Sequence, residues 1–62
     1  HLSIEIKNQA RLNLAGWMTQ ATRQAGERIP VVVHKRHGVG DPANQWVTLQ
    51  LADFERLIRK GR

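Results

Sequence analysis

The sequence predicts a small α/β domain with a mixed sheet and the element order β-α-β-β-α. Residues 2–7, LSIEIK, alternate apolar and polar side chains with the period of a half-buried strand. Residues 14–25 carry an apolar stripe at helical spacing, and VVVHKR, residues 31–36, is a β-branched run typical of a buried strand. A strand, a helix of about a dozen residues and a second strand favour a parallel pair with a right-handed crossover.

The first strand separates an apolar side, made of Leu2, Ile4 and Ile6, from a polar side, made of Ser3, Glu5 and Lys7. We expect this strand to lie in the centre of the sheet. Because nothing precedes it in the chain, residues 1–62 are expected to form a single domain that is the later part of a larger core.

The predicted helix has recognisable ends. Asn13 is a suitable N-cap, and Gly26 is a natural C-terminal stop. The apolar stripe between them consists of Leu14, Trp17, Met18, Ala21 and Ala25. We therefore expect one side of this helix to pack on the sheet.

The second half of the chain supplies the remaining elements. Pro30 leads into the second strand, and GVGDPAN, residues 38–44, has the composition of a loop. WVTL, residues 46–49, is a third strand, expected to run antiparallel to the second. A short closing helix is marked by Leu51, Phe54, Leu57 and Ile58 and ends in the basic tail RKGR. The helices are expected to cover the faces of the sheet.

Composition limits the classes of function. A chain of 62 residues has a marginal core. Because it has no cysteine, disulfides and thiolate metal sites are excluded. The formal net charge of +5 favours a polyanionic partner such as a nucleic acid, although a basic soluble domain is the alternative. The longest apolar run is PVVV, and no signal peptide is visible, so no membrane partner is expected.

The polar side of the first strand contains an E-x-K pattern. Glu5 and Lys7 point the same way and lie about 6–7 Å apart along the strand. A carboxylate is a hard oxygen ligand for Mg²⁺, and a lysine beside the metal can orient the attacking water and offset phosphate charge. The pattern is thus compatible with phosphodiester hydrolysis, but it also occurs on ordinary solvated strand faces.

The wider pattern is more specific. E-x-K-N is followed by a helix with tryptophan and glutamines, then by HKRHGVGDP, QWVTL and an L-x-x-F-x-x-L helix. This combination covers nearly all of the chain and resembles the PD-(D/E)xK nuclease superfamily, most closely the Holliday-junction-resolvase-like nucleases of actinobacterial phages. The resemblance implies a partial restriction-endonuclease-like core and an endonuclease that hydrolyses branched or duplex DNA during recombination. It also implies Mg²⁺ or Mn²⁺ as cofactor, a homodimer, and the cytoplasm of a bacterium or phage-infected host.

Site residues follow from the resemblance position by position. Glu5 matches the metal-ligating acid, Lys7 the lysine of the motif, and Gln20 or Gln24 the helix glutamine that supports the site or contacts DNA. DNA contacts are also expected at Lys35, Arg36, His37 and Arg11. For the glutamines and the basic strand end, a solvated surface is the alternative.

One part of the family pattern is missing. The superfamily requires an aspartate upstream of E-x-K, and this chain begins four residues before Glu5. The other carboxylates, Glu27, Asp41, Asp53 and Glu55, do not have the expected position. Catalysis by these 62 residues alone is therefore not expected, and a non-catalytic DNA-binding or protein-interaction module is the second hypothesis. A basic fragment whose E-x-K is a solvated strand face is the third.

Two histidines, two tryptophans and the GVGDP segment are the remaining candidates for a functional role. His34 and His37 are interpreted as polar residues on a DNA-facing or solvent edge, since a zinc site would lack ligands. Trp17 fits the helix core. Trp46 is interpreted as core, subunit contact or base-stacking surface, in that order. The GVGDP segment lacks the pattern of a P-loop and is interpreted as a turn, with a phosphate contact through its amides left open.

Overall fold

The computed structural model describes residues 1–9 and 11–60, and within these ranges it contains a three-stranded mixed sheet and two helices. The elements in chain order are β1 (Leu2–Lys7), α1 (Leu14–Ala25), β2 (Ile29–His34), a 3₁₀ turn (Pro42–Asn44), β3 (Trp46–Thr48) and α2 (Leu51–Lys60). The predicted α/β class is confirmed at this level. Of the predicted basic tail, Arg59 and Lys60 belong to α2, and residues 61–62 lie outside the described ranges.

The strands are arranged in the order β1-β2-β3. As predicted, β1 and β2 are parallel, with Lys7 opposite His34. Strand β3 runs antiparallel to β2 and places Trp46 opposite His34. Lys7, His34 and Trp46 therefore form a row across one face of the sheet, because directly opposed residues point the same way. The expectation that β1 is central is wrong for the described sheet, where β2 occupies the middle and β1 an edge.

Helix α1 forms as the sequence predicts. The side-chain oxygen of Asn13 accepts a hydrogen bond from the amide of Gly16 at 3.2 Å and so caps the first turn. The helix ends at Gly26, whose φ of 62° favours glycine. The predicted stripe is buried or half-buried against the sheet, with Trp17, Ala21 and Val32 as the centre of the core.

The sheet has two unequal faces. The helix face, which α1 covers over β1 and β2, carries Ser3, Glu5, Lys7, Val32, His34, Trp46 and Thr48. The open face carries Leu2, Ile4, Ile6, Ile29, Val31, Val33 and Val47. Ile29 and Val31 are buried, but Leu2, Ile4 and Ile6 are 41%, 57% and 63% exposed.

In an amphipathic strand the apolar side usually faces the helix and the polar side faces the solvent. Strand β1 has the opposite orientation. Its polar residues Glu5 and Lys7 are half-buried beneath α1, and its aliphatic residues face outward. The expectation that helices cover both faces is wrong for this part of the sheet. Such an arrangement leaves apolar area in water, which is unfavourable by about 25 cal/mol per Å².

Helix α2 is present as predicted but packs loosely. Its apolar residues Leu51, Phe54 and Ile58 are largely exposed. Asp53 is buried, and its carboxylate accepts a hydrogen bond from the Arg56 guanidinium at 2.6 Å. A groove of about 540 Å³ lies between the second half of α2 and the start of β2.

Candidate nucleic-acid interface

The half-buried polar residues of β1 meet helix α1 at one point. The ammonium nitrogen of Lys7 donates a hydrogen bond to the side-chain oxygen of Gln20 at 3.3 Å. Gln20 lies on the second turn of α1, on the side that faces β1. Gln20 and Gln24 are both exposed, and Gln20 is the one whose side chain bonds Lys7, which distinguishes the two glutamines that the sequence left open.

Glu5 lies on the same face as Lys7, one strand period earlier. Its Cα partner on β2 is Val32, a fully buried residue of the core. The Glu5 carboxylate is therefore placed at the boundary between the packed part of the helix face and the Lys7–Gln20 contact. Glu5, Lys7 and Gln20, which we call the Glu–Lys–Gln group, share this face: Lys7 contacts Gln20, and Glu5 lies one strand period from Lys7 without an ion pair to it within residues 1–9 and 11–60.

The described residues do not supply a complete metal site around Glu5. No group of three His, Asp or Glu side chains in residues 1–9 and 11–60 has the arrangement needed to hold a metal ion. Three other carboxylates are engaged locally: Asp41 accepts from the Ala43 amide, Asp53 binds Arg56, and Glu55 lies 3.7 Å from Arg59. A Mg²⁺ ion requires near-octahedral coordination by oxygen atoms. Residues 1–9 and 11–60 contribute one carboxylate, that of Glu5, to such a site beside Lys7.

The end of β2 carries the predicted basic residues. The amide of Lys35 donates to the backbone oxygen of Lys7 at 2.9 Å, so the parallel pairing continues one residue beyond the strand. The Lys35 side chain is exposed. Arg36 is half-buried, and its guanidinium donates to the backbone oxygen of Asn44 at 3.0 Å. Lys7, Lys35 and Arg36 therefore bring three positive charges to the same end of the sheet.

The loop after Arg36 is closed by a residue that the sequence analysis missed. The side-chain oxygen of Gln45 accepts a hydrogen bond from the backbone amide of Arg36. Its side-chain nitrogen donates hydrogen bonds to the backbone oxygens of Val39 and Asp41, at 2.8 and 2.9 Å. The predicted turn thus includes a 3₁₀ turn that is capped by Asp41. Only the position of Gln45 between the loop and the third strand was visible in the sequence, and no pattern marks such a residue.

Trp46 lies at the start of β3, beside this loop. It is 63% exposed, so its interpretation as a core residue is wrong. The Arg36 guanidinium carbon lies 4.6 Å from the centroid of its ring. A cation–π contact of this kind at an exposed site contributes about 0.5–1 kcal/mol.

His34 has a structural role. It is 7% exposed, its ring packs edge-on against Trp17 at 5.3 Å, and its Nε2 lies 2.7 Å from the Thr48 hydroxyl. The expectation of a DNA-facing or solvent-edge histidine is therefore wrong for His34. The residue ties α1, β2 and β3 together as the middle member of the row that it forms with Lys7 and Trp46.

The remaining predicted contacts lie further out. His37 is exposed in the turn after β2, and Arg11 is exposed in the segment before α1. Within residues 1–9 and 11–60, no hydrogen bond or ion pair joins either residue to Glu5 or Lys7. Arg11 belongs to the candidate interface by its charge and exposure, and His37 by its exposure.

A second basic region lies at the other end of the sheet. The groove between β2 and α2 is lined by His1, Glu27, Arg28, Ile29, Arg56, Arg59 and Lys60. A smaller groove is lined by Met18, Thr19, Thr22 and Gln50. Glu5 and Lys7 line neither of these two grooves, and the basic side chains of the described ranges are divided between two ends of the molecule.

The chain matches no protein-family model, no curated protein and no solved structure. Fold and geometry therefore define a small basic α/β domain with a Glu–Lys–Gln group on its helix face. Within the part of the chain that the structure describes, no helix is both long and apolar enough to cross a lipid bilayer.

Proposed function

We propose that this chain binds DNA through its helix face as part of a PD-(D/E)xK-type nuclease, similar to the Holliday-junction-resolvase-like nucleases of phages. The observation that carries the proposal is the reversed orientation of β1. An ordinary solvated E-x-K strand would point Ile4 and Ile6 inward, whereas here Glu5 and Lys7 are turned toward α1. A strand that half-buries its charges and exposes its aliphatic residues supports a role for those charges beyond solubility.

The roles follow from the chemistry of the three side chains. The Lys7 ammonium is a compact positive charge for a DNA phosphate, and the Gln20 amide holds it in place across the helix–strand boundary. Lys35 and Arg36 provide further positive charge beside Lys7, where they can contact neighbouring phosphates of the same DNA. Such contacts provide sequence-independent affinity that falls steeply with salt.

The hydrolytic part of the proposal requires more than the described residues. Mg²⁺ or Mn²⁺, which the resemblance implies, would be held by Glu5, but this carboxylate needs further oxygen ligands that residues 1–9 and 11–60 do not bring to it. Binding and orientation of DNA are therefore what these residues can perform. Cleavage belongs to a completed site, in the cytoplasm of a bacterium or a phage-infected host.

The second candidate is a DNA-binding or protein-interaction module that does not cut. It is favoured by one observation: Glu5 is the single carboxylate of the described Glu–Lys–Gln group. The third reading, a solvated E-x-K face, is favoured by the absence of Glu5 and Lys7 from the two grooves described above. An experiment must separate all three.

The homodimer that the resemblance implies also remains a proposal. The exposed aliphatic side of β1 supports association, because Leu2, Ile4 and Ile6 form a row of apolar side chains at the edge of the sheet. Sedimentation of the wild type beside Ile4→Thr and Ile6→Thr variants tests this point. A monomer at all concentrations would contradict it.

The function is tested by incubating the chain with a labelled four-way junction and a matched duplex, with and without Mg²⁺ or Mn²⁺. Binding is measured over a range of salt concentrations for the wild type, Lys7→Met and Lys60→Met. Lys60 serves as the matched control because it lies by the groove at the other end of the sheet. Loss of one phosphate contact lowers the slope of log affinity against log salt by about one.

The outcomes distinguish the candidates. Metal-dependent cleavage that disappears in Glu5→Gln supports the nuclease and excludes the binding-only module. Salt-dependent binding without cleavage, weakened by Lys7→Met but not by Lys60→Met, supports the binding module. Equal effects of the two lysine substitutions, or no binding, support the solvated face.

A further inference from the structure

Trp46 is an exposed aromatic residue with a fixed cationic neighbour. Arg36 lies over its ring at 4.6 Å, yet 63% of the residue remains accessible. Exposure leaves the indole accessible to a ligand, and the π-face of an indole can stack on any nucleobase. The pair therefore offers an aromatic surface and a positive charge in the same place.

The loop that joins the two residues is pre-organised. Arg36 is anchored through its guanidinium to the Asn44 backbone oxygen and through its amide to Gln45. Gln45 is fixed in turn by two backbone oxygens of the loop. The position of the guanidinium relative to Trp46 is thus set before any ligand arrives, which lowers the entropic cost of binding.

The location connects this pair to the Glu–Lys–Gln group. Lys7, His34 and Trp46 lie in one row across neighbouring strands, so the Cα atoms of Lys7 and Trp46 are about 10 Å apart. Both residues point to the helix face, and buried His34 separates them. A nucleic-acid strand whose phosphate contacts Lys7 can therefore bring a base of the same strand to Trp46.

We propose that Trp46 and Arg36 form a stacking platform for an unpaired nucleobase next to the phosphate bound at Lys7. This inference rests on the proposed function and names its substrate class. A base inside an intact duplex is already stacked on both sides, so the platform takes bases that are splayed, bulged or single-stranded. The DNA that this platform selects then carries an unpaired base, as in a flap or a bulge.

The test compares two labelled DNAs of the same sequence, a continuous duplex and a duplex with a short single-stranded flap. Affinities are measured for the wild type, Trp46→Leu and Trp46→Phe. Val47→Ala is the matched control, because this exposed neighbour on β3 points to the open face. Tryptophan fluorescence provides a second readout, since Trp17 is buried and Trp46 is the accessible indole.

We expect Trp46→Leu to bind the flap about tenfold more weakly while its affinity for the duplex is unchanged. Trp46→Phe should retain most of the preference, and Val47→Ala all of it. Flap DNA should quench the wild-type fluorescence, and this quenching should disappear in Trp46→Leu.

Three results would overturn the platform. If Trp46→Leu lowers the affinity for both DNAs equally, or for neither, no unpaired base stacks on Trp46. If Lys7→Met reduces duplex binding while Trp46→Leu leaves the flap preference intact, the platform fails and the proposed function survives. If the wild type binds neither DNA in a salt-dependent way, both fail.

Discussion

The ammonium group of Lys7 on β1 donates a hydrogen bond to the side-chain oxygen of Gln20 on α1, with 3.3 Å between the two atoms. This contact joins the motif lysine to the helix that covers it. It restricts a flexible four-carbon side chain at the edge of the sheet, so that less entropy is lost when the ammonium meets a phosphate.

Gln20→Leu should therefore weaken DNA binding, because Lys7 loses its amide partner and the site loses a hydrogen-bonding group. We expect a decrease in affinity of about two- to tenfold, corresponding to one net hydrogen bond. Gln24→Leu is the matched control, one helical turn further on and exposed. Fluorescence anisotropy with labelled duplex measures both. A larger effect from Gln24→Leu would mean that the contact with Lys7 is incidental.

Glu5→Gln should tighten DNA binding when no divalent cation is present. The carboxylate repels a phosphate held at Lys7, and the neutral amide of similar shape does not. We expect about a two- to fivefold gain, the scale of a partly exposed charge interaction. Glu27→Gln makes the same change of charge beside the other groove and should have a smaller effect. Equal gains from the two substitutions would indicate only a response to net charge.

The N-terminus of α1 makes a prediction about stability. A Cβ atom on Gly16 would lie 2.6 Å from the side-chain nitrogen of Asn13, so Gly16→Ala displaces the cap. Asn13→Ala should cost about 1 kcal/mol, and Gly16→Ala should destabilise despite the better helix propensity of alanine.

In a double-mutant cycle, the effect of Gly16→Ala on the free energy of unfolding should change sign when Asn13 is replaced by alanine. In the Asn13→Ala background there is no cap to displace, so Gly16→Ala should stabilise the protein by a few tenths of a kcal/mol or more. Urea denaturation followed by circular dichroism measures all four proteins. Additive effects would contradict the steric coupling between the two residues.

The pair of His34 and Thr48 makes a second prediction about stability. Thr48→Val removes the hydroxyl 2.7 Å from the Nε2 of a histidine that is nearly buried, and leaves the shape of the side chain almost unchanged. The unsatisfied ring nitrogen should cost about 1–3 kcal/mol. Thr48→Ser keeps the hydroxyl and should recover most of this loss. Equal destabilisation by valine and serine would assign the effect to packing instead.

The local features of the fold could be predicted from the sequence because each depends on neighbouring residues. Asn13 and Gly26 set the ends of α1, and the spacing from Trp17 to Ala25 identified its buried side. The parallel and antiparallel pairings followed from the connection lengths. These are short-range properties that alternation and capping chemistry determine.

The tertiary features could not be predicted in the same way. Alternation in LSIEIK separates two sides of β1 but does not state which one α1 covers, and the polar side proved to be the covered one. Whether Gln20 or Gln24 reaches Lys7 depends on the phase of α1 against the sheet. His34 and Trp46 are paired on the same face, and their different burial depends on where α1 crosses the sheet: Trp17 of α1 packs on His34, whereas Trp46 is exposed.

We propose that DNA contacts the helix face of the sheet and not the groove beside α2. NMR titration of ¹⁵N-labelled protein with junction DNA tests it most directly. We expect the largest shifts at the amides of Lys7, Gln20 and Lys35 and at the indole N–H of Trp46. Shifts concentrated instead at Arg28 and around Arg56–Lys60, with Lys7 and Trp46 unaffected, would contradict it.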